Sequence, residues 1–282
     1  MKVVRSAQKV RAALHIERER GRSIGFVPTM GALHDGHLSL VSRARDISDV
    51  VVLSIFVNPL QFGPSEDLDA YPRREREDLR LAEEAKVDVV FLPTITEIYP
   101  LGHSTSVDPG PLGTVLEGAS RPGHFKGVAT VVTKLFALVA PDRAFFGQKD
   151  AQQVAVIERV VIDLSIPVQI VVGPTVREAD GLALSSRNSL LSVDDRARAT
   201  VLNEALIAGA SAFAEGGAEV AERTMAEMVG AASGVTLDYA RAVDPRTFEE
   251  PVGDIALLVI SARVGTTRLI DNLRTDEPGT NG

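Results

Sequence analysis

Short apolar runs alternate with amphipathic segments over the first 175 residues of the chain. Apolar runs predict five strands, over residues 24–27, 50–57, 87–92, 144–146 and 168–172. Helical patterns predict five helices, over residues 6–21, 37–45, 74–86, 128–139 and 151–161. The run at 50–57 is rich in β-branched residues, as is typical of a strand covered on both faces. Strands that alternate with helices indicate right-handed βαβ units and a parallel sheet.

The pattern changes near residues 175–188. The elements predicted after it are two alanine-rich helices and two strands, over residues 193–215, 218–232, 235–243 and 255–264. The predicted fold class is therefore α/β, with a Rossmann-like parallel sheet in a domain spanning residues 1–175. A smaller α+β domain spans residues 176–282, and the family resemblance given below implies that it is placed to act as a lid. We expect the polar tail, residues 274–282, to be disordered.

Composition narrows the class of protein. The 282 residues are 45% apolar and 24% charged, as in soluble globular proteins. The net charge of −8 argues against a general nucleic-acid or membrane-surface binder, although it leaves room for a small anionic ligand. The lack of cysteine excludes disulfides and thiolate metal sites. With neither a secretory signal pattern nor an apolar run of membrane-spanning length, we expect a cytoplasmic protein.

The segment that follows the strand at 24–27 carries the first candidate chemistry. Pro28 and Gly31 end the strand, and a helix begins near His34 and His37. The N-terminus of a helix favours phosphate because its backbone N–H groups and its dipole both attract anions. Imidazoles three residues apart lie on one helix face and can donate hydrogen bonds to phosphate oxygens. The alternative is that the two histidines merely cap or pack the helix end.

Two amides follow the strand at 50–57. Asn58 and Gln61 lie where parallel sheets bind ligands, beyond the carboxyl end of a strand. We therefore expect them to face the same crevice as His34 and His37. Amides there can hold a hydroxyl or a carboxylate group without adding charge. For Asn58, a role in an Asn-Pro turn is an equally good interpretation.

Lys149 lies at a further junction between a strand and a helix. From such a position it can reach a phosphate as a mobile point charge, although most surface lysines are inert. Asp150 suits a helix N-cap, and Gln153 follows one turn later. Near the domain junction, the run 185–187 offers two hydroxyls beside a guanidinium, a good clamp for phosphate oxygens. Its alternative is an ordinary N-cap.

Other patterns are weaker. The basic loop at 121–127 either lines the site or crosses the surface. The charge run at 73–78 is typical of a solvated helix face, and a metal role for Glu77 or Asp78 is the weaker alternative. The chain contains neither a Walker-type phosphate loop nor a convincing Gly-x-Gly-x-x-Gly, and it has no His-Glu-x-x-His zinc motif.

Several motifs agree in order and spacing with one family across nearly the whole chain. They are PTMGALH at 28–34, SIFVNP at 54–59, QF at 61–62, DAYPR at 69–73, FFG at 145–147, KD at 149–150, TVRE at 175–178, DGLA at 180–183, SSRN at 185–188 and GTTRLIDN at 265–272. On these motifs the chain resembles the pantoate–β-alanine ligases of the HIGH-type nucleotidyltransferase superfamily. Asp35 and Ala151 depart from the usual Glu and Tyr, and neither departure removes a reacting group.

The resemblance implies a two-step reaction. The carboxylate of pantoate attacks the α-phosphorus of Mg-ATP, giving pantoyl adenylate and pyrophosphate. The amine of β-alanine then attacks the acyl carbon and releases AMP. ATP is thus a substrate, and Mg²⁺ is held mainly by its phosphates, with no protein ligand assigned. The resemblance also implies a homodimer that binds neither nucleic acid nor membrane.

The family also assigns roles to particular residues. The catalytic residues that it implies are His34, His37 and Lys149. Those that it implies for ATP binding are Met30, Gly31, Ala32, Leu33, His34, Asp35, Gly36, His37, Gly147, Gln148, Lys149, Asp150, Val176, Leu184, Ser185, Ser186 and Arg187. Those for pantoate are Asn58, Gln61 and Gln153, with Gln61 also near β-alanine. His37 matches a residue described as a proton donor, but hydrogen-bond donation to phosphate is the firmer expectation.

Two alternatives differ from this function. A cytidylyl- or adenylyltransferase that acts on a phosphorylated substrate needs extra basic residues, whereas Gln61 and Gln153 favour a small hydroxy acid. A nucleotide-binding module without catalysis is expected to have lost a histidine or the phosphate-binding lysine, and all of them are present.

Overall fold

A computed structural model describes residues 1–63, 68 and 71–276. Asp69 and Ala70 of one family motif, and the tail from residue 277 onward, lie outside these residues. The chain forms two compact units. The first contains Met1–Gly147 and Gln152–Gly173, and the second contains Gln148–Ala151 and Pro174–Gly282.

The first unit follows the predicted alternation of strands and helices. Its elements are β1 (Lys2–Val4), α1 (Ala7–Glu19), β2 (Ile24–Thr29), α2 (Asp35–Ile47), β3 (Val50–Ile55), α3 (Glu75–Glu84), β4 (Val89–Phe91), α4 (Ile95–Ile98), α5 (Glu117–Ser120), α6 (His124–Val139), β5 (Arg143–Gly147), α7 (Ala151–Asp163) and β6 (Gln169–Gly173). Within the described residues, these six strands form one parallel sheet in the order β1-β4-β3-β2-β5-β6.

The strand order reverses beside β2. From β2 the chain runs outward through β3 and β4, and it then returns to the other side of β2 with β5 and β6. Ligands of such sheets bind beyond the carboxyl ends of the strands at this reversal. The turn after β2 therefore starts at the position where the fold favours a binding site.

Both faces of this sheet are apolar. Phe26 of β2 and Val52 of β3 pack with α1, α6 and α7 in one cluster. Their neighbours Val27 and Leu53 point to the opposite face and pack with α2 and α3 in another. Because successive residues of a strand face opposite sides, a strand covered on both sides is apolar without interruption, as the sequence pattern predicts.

The second unit places helices on an antiparallel sheet. Its elements are α8 (Val193–Arg198), α9 (Val201–Ala231), β7 (Val235–Val243), β8 (Leu257–Val264) and β9 (Thr267–Arg274). The three strands pair in the order β7-β8-β9, and one sheet face packs against α9. Gly217, at φ 76°, interrupts α9. Its left-handed backbone suits glycine, and it accounts for the predicted break between 215 and 218.

The predicted fold class is confirmed, and the differences are local. Two strands are absent from the prediction: β1 has only three residues, and β9 mixes polar with apolar residues. α6 starts at His124 rather than 128, directly after Gly123 at φ 85°. The predicted helix at 193–215 is divided between α8 and α9. None of the helices among the described residues combines the length and apolarity needed to cross a bilayer.

Candidate active site

The turn after β2 is held by buried hydrogen bonds. The Thr29 hydroxyl donates to the carbonyl oxygen of Ser54 on β3 at 2.7 Å and accepts from the Gly31 N–H at 3.2 Å. Gly31 has φ +89°, and Ala32 follows at φ 50°. Consecutive residues with positive φ reverse the chain sharply, and the backbone N–H groups of residues 32 and 33 then point to Asp78 on α3.

Asp78 of α3 fixes those two N–H groups. Its Oδ2 accepts from the Ala32 N–H at 3.0 Å, and its Oδ1 accepts from the Leu33 N–H at 2.8 Å. A Cβ at Gly31 would lie only 2.9 Å from Asp78 Oδ2. The solvated face expected for residues 73–78 is therefore wrong at Asp78, which is 2% exposed. Asp78 lies one turn before the buried Ala82, a spacing that marks the core-facing side of α3.

His34 caps α2 through its ring. Its Nδ1 accepts a hydrogen bond from the Gly36 N–H at 3.2 Å. Since Nδ1 is the acceptor, the neutral ring that fits this cap carries its proton on Nε2. The capping role was an alternative to phosphate binding in the sequence, but the two are compatible because they use different ring nitrogens.

His37 stacks on His34 in the first turn of α2. The ring centroids are 4.1 Å apart, with planes inclined at 40°, and the His37 N–H donates to the His34 carbonyl at 2.8 Å. Both residues are partly exposed. Two imidazoles therefore lie side by side at a helix N-terminus, where the dipole adds partial positive charge. This arrangement suits phosphate.

Gly36 makes the capping geometry possible. A Cβ at residue 36 would lie 2.9 Å from Cε1 and 3.0 Å from Nδ1 of His34. We therefore expect Gly36→Ala to displace the ring, remove the cap and lower the rate of ATP-dependent chemistry about tenfold. Steady-state rates with saturating ATP test this. Ser39→Ala, which removes a hydroxyl bonded to the Gly36 carbonyl, is the control, and equal rates for the two variants would contradict the prediction.

The turn at 59–61 presents the Gln61 amide. Asn58 Nδ2 donates to Gln61 Oε1 and to the Gly127 carbonyl, both at 3.1 Å. Asn58 Oδ1 accepts from the Leu60 N–H at 3.3 Å and from the Tyr99 hydroxyl at 2.8 Å. Burial raises the pKa of Tyr99, which therefore stays a donor. Asn58 is 1% exposed and its amide is fully used. Its contact with a ligand stays a prediction, which this geometry disfavours.

Gln61 joins three of the sequence motifs. Its Nε2 lies 2.8 Å from Met30 Sδ, which brings the turn after β3 to the turn after β2. Its carbonyl accepts from His124 Nδ1 at 2.8 Å, while His124 Nε2 accepts from Arg121 at 3.1 Å. The basic loop at 121–127, left undecided from the sequence, thus reaches the backbone of Gln61.

The adjacent glutamines of α7 differ in role. Gln152 is 5% exposed, accepts from the Glu117 N–H and donates to the carbonyls of Leu112 and Val115. The amide of Gln153 is partly exposed and makes no hydrogen bond to the residues that the structure describes. Gln153, and not Gln152, is therefore the amide available to a ligand.

The second unit gathers the predicted cations. Lys149 and Arg187 line one recess with other residues, among them Ala183, Ser185, Asn188, Arg268 and Asp271. The Lys149 Nζ is 3.7 Å from Asp150 Oδ1. Ser185 caps the short turn at 186–190 by accepting from the Arg187 N–H at 3.2 Å. The N-cap alternative for Ser185 is thus correct, and Ser185 and Arg187 both line the recess.

Val176 and Leu184 are also brought together. The Leu184 N–H donates to the Val176 carbonyl at 2.9 Å, and Arg177 pairs with Ala183 in a β-bridge. Arg196 stabilises this loop by binding Asp180 and Glu178, each at 2.7 Å. Its hydrogen bonds lower the pKa of Asp180. The loop from 176 to 187 is therefore held as a closed hairpin beside the recess.

A sequence model for the family described as pantoate-beta-alanine ligase matches residues 2–274 of the chain. The chain belongs to the pantoate–β-alanine ligase family. The resemblance inferred from motifs is confirmed. The pantothenate synthetase of Thermobifida fusca is 52% identical to the chain over 284 residues, with 96% of this chain and 94% of that protein covered. That of Mycolicibacterium smegmatis is 53% identical over 268 residues, with 95% and 85% covered.

Solved structures of the same family agree with the fold. A pantothenate synthetase from Thermus thermophilus has a TM-score of 0.91 at 48% identity, with 98% of this chain and 99% of that chain covered. A pantoate–β-alanine ligase from Francisella tularensis has a TM-score of 0.81 at 34% identity, with 99% and 100% covered. The latter was crystallised as a complex with beta-gamma ATP and beta-alanine.

Several residues of this ligase-family site had no role assigned from the sequence. They are Asp78, Tyr99, Arg177, Asp271 and Asn272. Arg177, Asp271 and Asn272 lie in motifs that carried the resemblance, but nothing in their local pattern indicates the ion pair and turn contacts that they make. Their partners lie about ninety or more positions away in sequence, a separation at which no local pattern carries information.

The side chains that the structure describes were searched for a metal centre. Among the described residues, no group of three or more histidine, aspartate or glutamate side chains is arranged to hold a metal ion. Both oxygens of Asp78 already accept backbone N–H groups.

Proposed function

We propose that this protein condenses pantoate with β-alanine, using ATP and releasing AMP and pyrophosphate. In the first step a pantoate carboxylate oxygen forms a bond to the α-phosphorus, and the bond from that phosphorus to the bridging oxygen of pyrophosphate breaks. In the second step the amine of β-alanine forms a bond to the acyl carbon, AMP leaves, and the amine loses its proton to solvent. The observation that carries this proposal is the family match over residues 2–274.

The first unit supplies donors for the α-phosphate. We assign the Nε2–H of His34 and the ring of His37 to phosphate oxygens, which gain charge as the bond forms. Their placement at the N-terminus of α2 supports this role. The backbone of Met30, Gly31, Ala32 and Leu33 lines the nucleotide beside them, with Asp35, Gly36 and Gly147. Since the reaction needs no protein nucleophile, these residues act by positioning and by charge stabilisation.

The second unit supplies cations for the departing pyrophosphate. We assign Lys149 and Arg187 to the β- and γ-phosphates, with Ser185 and Ser186 as hydroxyl donors. Among the described residues no ion pair is formed by Arg187, and Lys149 forms one with Asp150 Oδ1 at 3.7 Å, which is longer than a hydrogen bond. Charge is therefore available for a polyanion. The remaining contacts that we assign to ATP are Gln148, Asp150, Val176 and Leu184.

Uncharged amides suit the acceptor. We assign Gln61 and Gln153 to pantoate, whose hydroxyls and carboxylate accept or donate hydrogen bonds, and Gln61 also to β-alanine. The Asn58–Tyr99 pair holds Gln61 in place. A transferase with a phosphorylated acceptor needs cations at these positions, so the amides favour a hydroxy acid.

Magnesium, location and assembly complete the proposal. Mg²⁺ enters as part of Mg-ATP, bound by phosphates. Because ATP is a cytosolic metabolite, the reaction takes place in the cytoplasm. We also propose a homodimer, whose mass in solution light scattering can measure.

The test is isotope exchange between pyrophosphate and ATP, combined with AMP release. We expect exchange with pantoate and Mg-ATP alone, and AMP release only when β-alanine is also present. Exchange that needs no pantoate, or AMP release with pantoate replaced by a phosphorylated alcohol, would contradict the proposed substrate. If ATP binds but no exchange occurs, the fold assignment stands and the proposed function is wrong.

Gln153→Ala tests the pantoate assignment. Because its amide is not used within the described chain, we expect the KM for pantoate to rise about tenfold or more and the KM for ATP to change less than twofold. Gln8→Ala, at an exposed position on α1, is the control. Initial-rate measurements at varied pantoate and ATP decide the matter, and an unchanged KM for pantoate would count against the assignment.

A further inference from the structure

The turn that carries Lys149 is tied to β9 by one side chain. Asn272 Nδ2 donates to the Gln148 carbonyl at 3.0 Å and to the Lys149 carbonyl at 2.9 Å. In return, Gln148 Nε2 donates to Asn272 Oδ1 at 3.2 Å. Asn272 is 4% exposed, and both Nδ2 protons are used. All these residues belong to the second unit, although 124 positions separate Gln148 from Asn272.

Asn272 is itself held rigidly. Its main chain pairs with Val259 of β8. The Arg177 guanidinium binds Asp271 in two parallel hydrogen bonds, at 2.6 and 3.0 Å, and also donates to the Asn272 carbonyl at 3.3 Å. Asp271 Oδ1 further accepts from the Asn272 N–H at 2.8 Å. The Asp271 side chain is 2% exposed and that of Arg177 14%. A buried bidentate pair of this kind fixes direction as well as distance.

We propose that Asn272 is a positioning residue for Lys149, acting on the phosphate-binding lysine through the backbone of its turn. This inference rests on the proposed function, because it takes Lys149 as a ligand of the leaving pyrophosphate. A lysine ammonium ends a flexible four-carbon stem, so its position depends on where the backbone starts the stem. The two carbonyl contacts fix that start, and a misplacement of about 1 Å is enough to cost a large factor in rate.

The same hydrogen bonds give a structural role to the polar residues at the end of the motif at 265–272. Asp271 and Asn272 close the run at 265–272, and Arg177 lies in the run at 175–178. None of these side chains belongs to the apolar cluster between α9 and the sheet. Their hydrogen bonds instead connect β9 to the turn at 148–150 and to the loop that begins at 176.

A double-mutant cycle tests the inference. We expect Asn272→Ala to lower kcat/KM for ATP in pantoate-dependent exchange about tenfold, while Lys149→Ala lowers it about a hundredfold. In the Lys149→Ala background, Asn272→Ala costs less than twofold, because there is no ammonium left to misplace. Equal losses in both backgrounds would overturn the inference, since Asn272 would then act only on the fold.

A second variant and a control keep the test decisive. Asn272→Leu keeps most of the volume but removes both donors, so we expect a similar loss and faster hydrogen exchange of the 148–151 amides. Ser261→Ala removes another buried hydrogen bond of the same sheet, the one to Asp238, and is expected to leave kcat/KM unchanged. Slow exchange at 148–151 in the leucine variant would overturn the inference.

Failure of the proposed function is distinguishable. If the unaltered protein shows no pantoate-dependent exchange, that function is wrong. The same cycle can then be run on the dissociation constant of the β,γ-imido analogue of ATP with Mg²⁺. Coupling between Asn272 and Lys149 in that affinity supports the positioning role, and additive losses overturn it.

Discussion

Replacing His37 by alanine lowers the rate of pantoyl adenylate formation by about a hundredfold or more. The ring lies 4.1 Å from that of His34 at the N-terminus of α2. Under the proposed function it donates to phosphate oxygens as charge develops on them. Loss of one such donor costs on the order of 10²–10³ in rate, because the remaining groups cannot reorganise to replace it. Single-turnover quench measurements of adenylate, made at saturating ATP and pantoate, give this rate directly.

His15→Ala is the matched control for His37→Ala. His15 is exposed on α1, where it pairs with Glu19, so its removal deletes an imidazole without altering the turn after β2. We expect its single-turnover rate to equal that of the unaltered protein. A near-normal rate for His37→Ala would remove the histidine from the proposed chemistry and leave it a packing residue of the helix end.

Asp78→Asn is expected to lower both stability and the adenylation rate. An aspartate accepts from the Ala32 and Leu33 N–H groups with its two oxygens, whereas an asparagine presents its NH₂ to one of them. One buried N–H then lacks an acceptor, which costs about 1–3 kcal/mol of unfolding free energy. The turn that leads to His34 shifts, and we expect the adenylation rate to fall about a hundredfold. Urea unfolding and single-turnover kinetics measure the two effects.

Glu77→Gln is the control for Asp78→Asn, because it removes a negative charge from α3 without removing the buried hydrogen bonds of Asp78. Glu77 is the neighbour of Asp78, exposed and paired with Arg80 on the same helix. Because exposed ion pairs contribute little, this variant should keep both stability and rate. If Asp78→Asn behaves like Glu77→Gln, the carboxylate is dispensable and the turn is held by Thr29 and by the backbone alone.

These predictions divide the site by type of interaction. In the first unit, the Asp78 carboxylate holds the turn that leads to the two imidazoles proposed to bind phosphate, and amides are proposed to bind the acceptor. In the second unit, cations lie beside a hairpin fixed by Arg196 and by the Arg177–Asp271 pair. The two histidines, Lys149 and Gln153 are partly exposed. Asp78, Asn58 and Asn272, which hold the site residues in place, are buried, and so is Gln61 at 7% exposure.

Much of the fold could be predicted because its signals are local. The uninterrupted apolar run at 50–57 requires cover on both faces, which a parallel sheet with helices provides. His34 and His37 were predicted at a helix start because the proline, the glycine and the apolar spacing that mark this start all lie close to them in sequence. β9 could not be predicted because its sequence mixes polar with apolar residues. Its polar residue Asn272 binds the turn at 148–150, a contact that no local pattern indicates.

The sequence by itself determined the α/β class, the family and the residues whose chemistry suits a nucleotide, because periodicity and motif spacing are properties of neighbouring residues. Tertiary structure decided which polar residues are buried supports. Asp78 looked like part of a solvated charge run, and only packing of α3 under the turn after β2 revealed two backbone hydrogen bonds. Asn272 reaches the Lys149 carbonyl across 123 positions. Hydrogen-bond partners this distant are brought together by the folded sheet of β7, β8 and β9 and not by the local pattern, so no spacing in the sequence could have identified them.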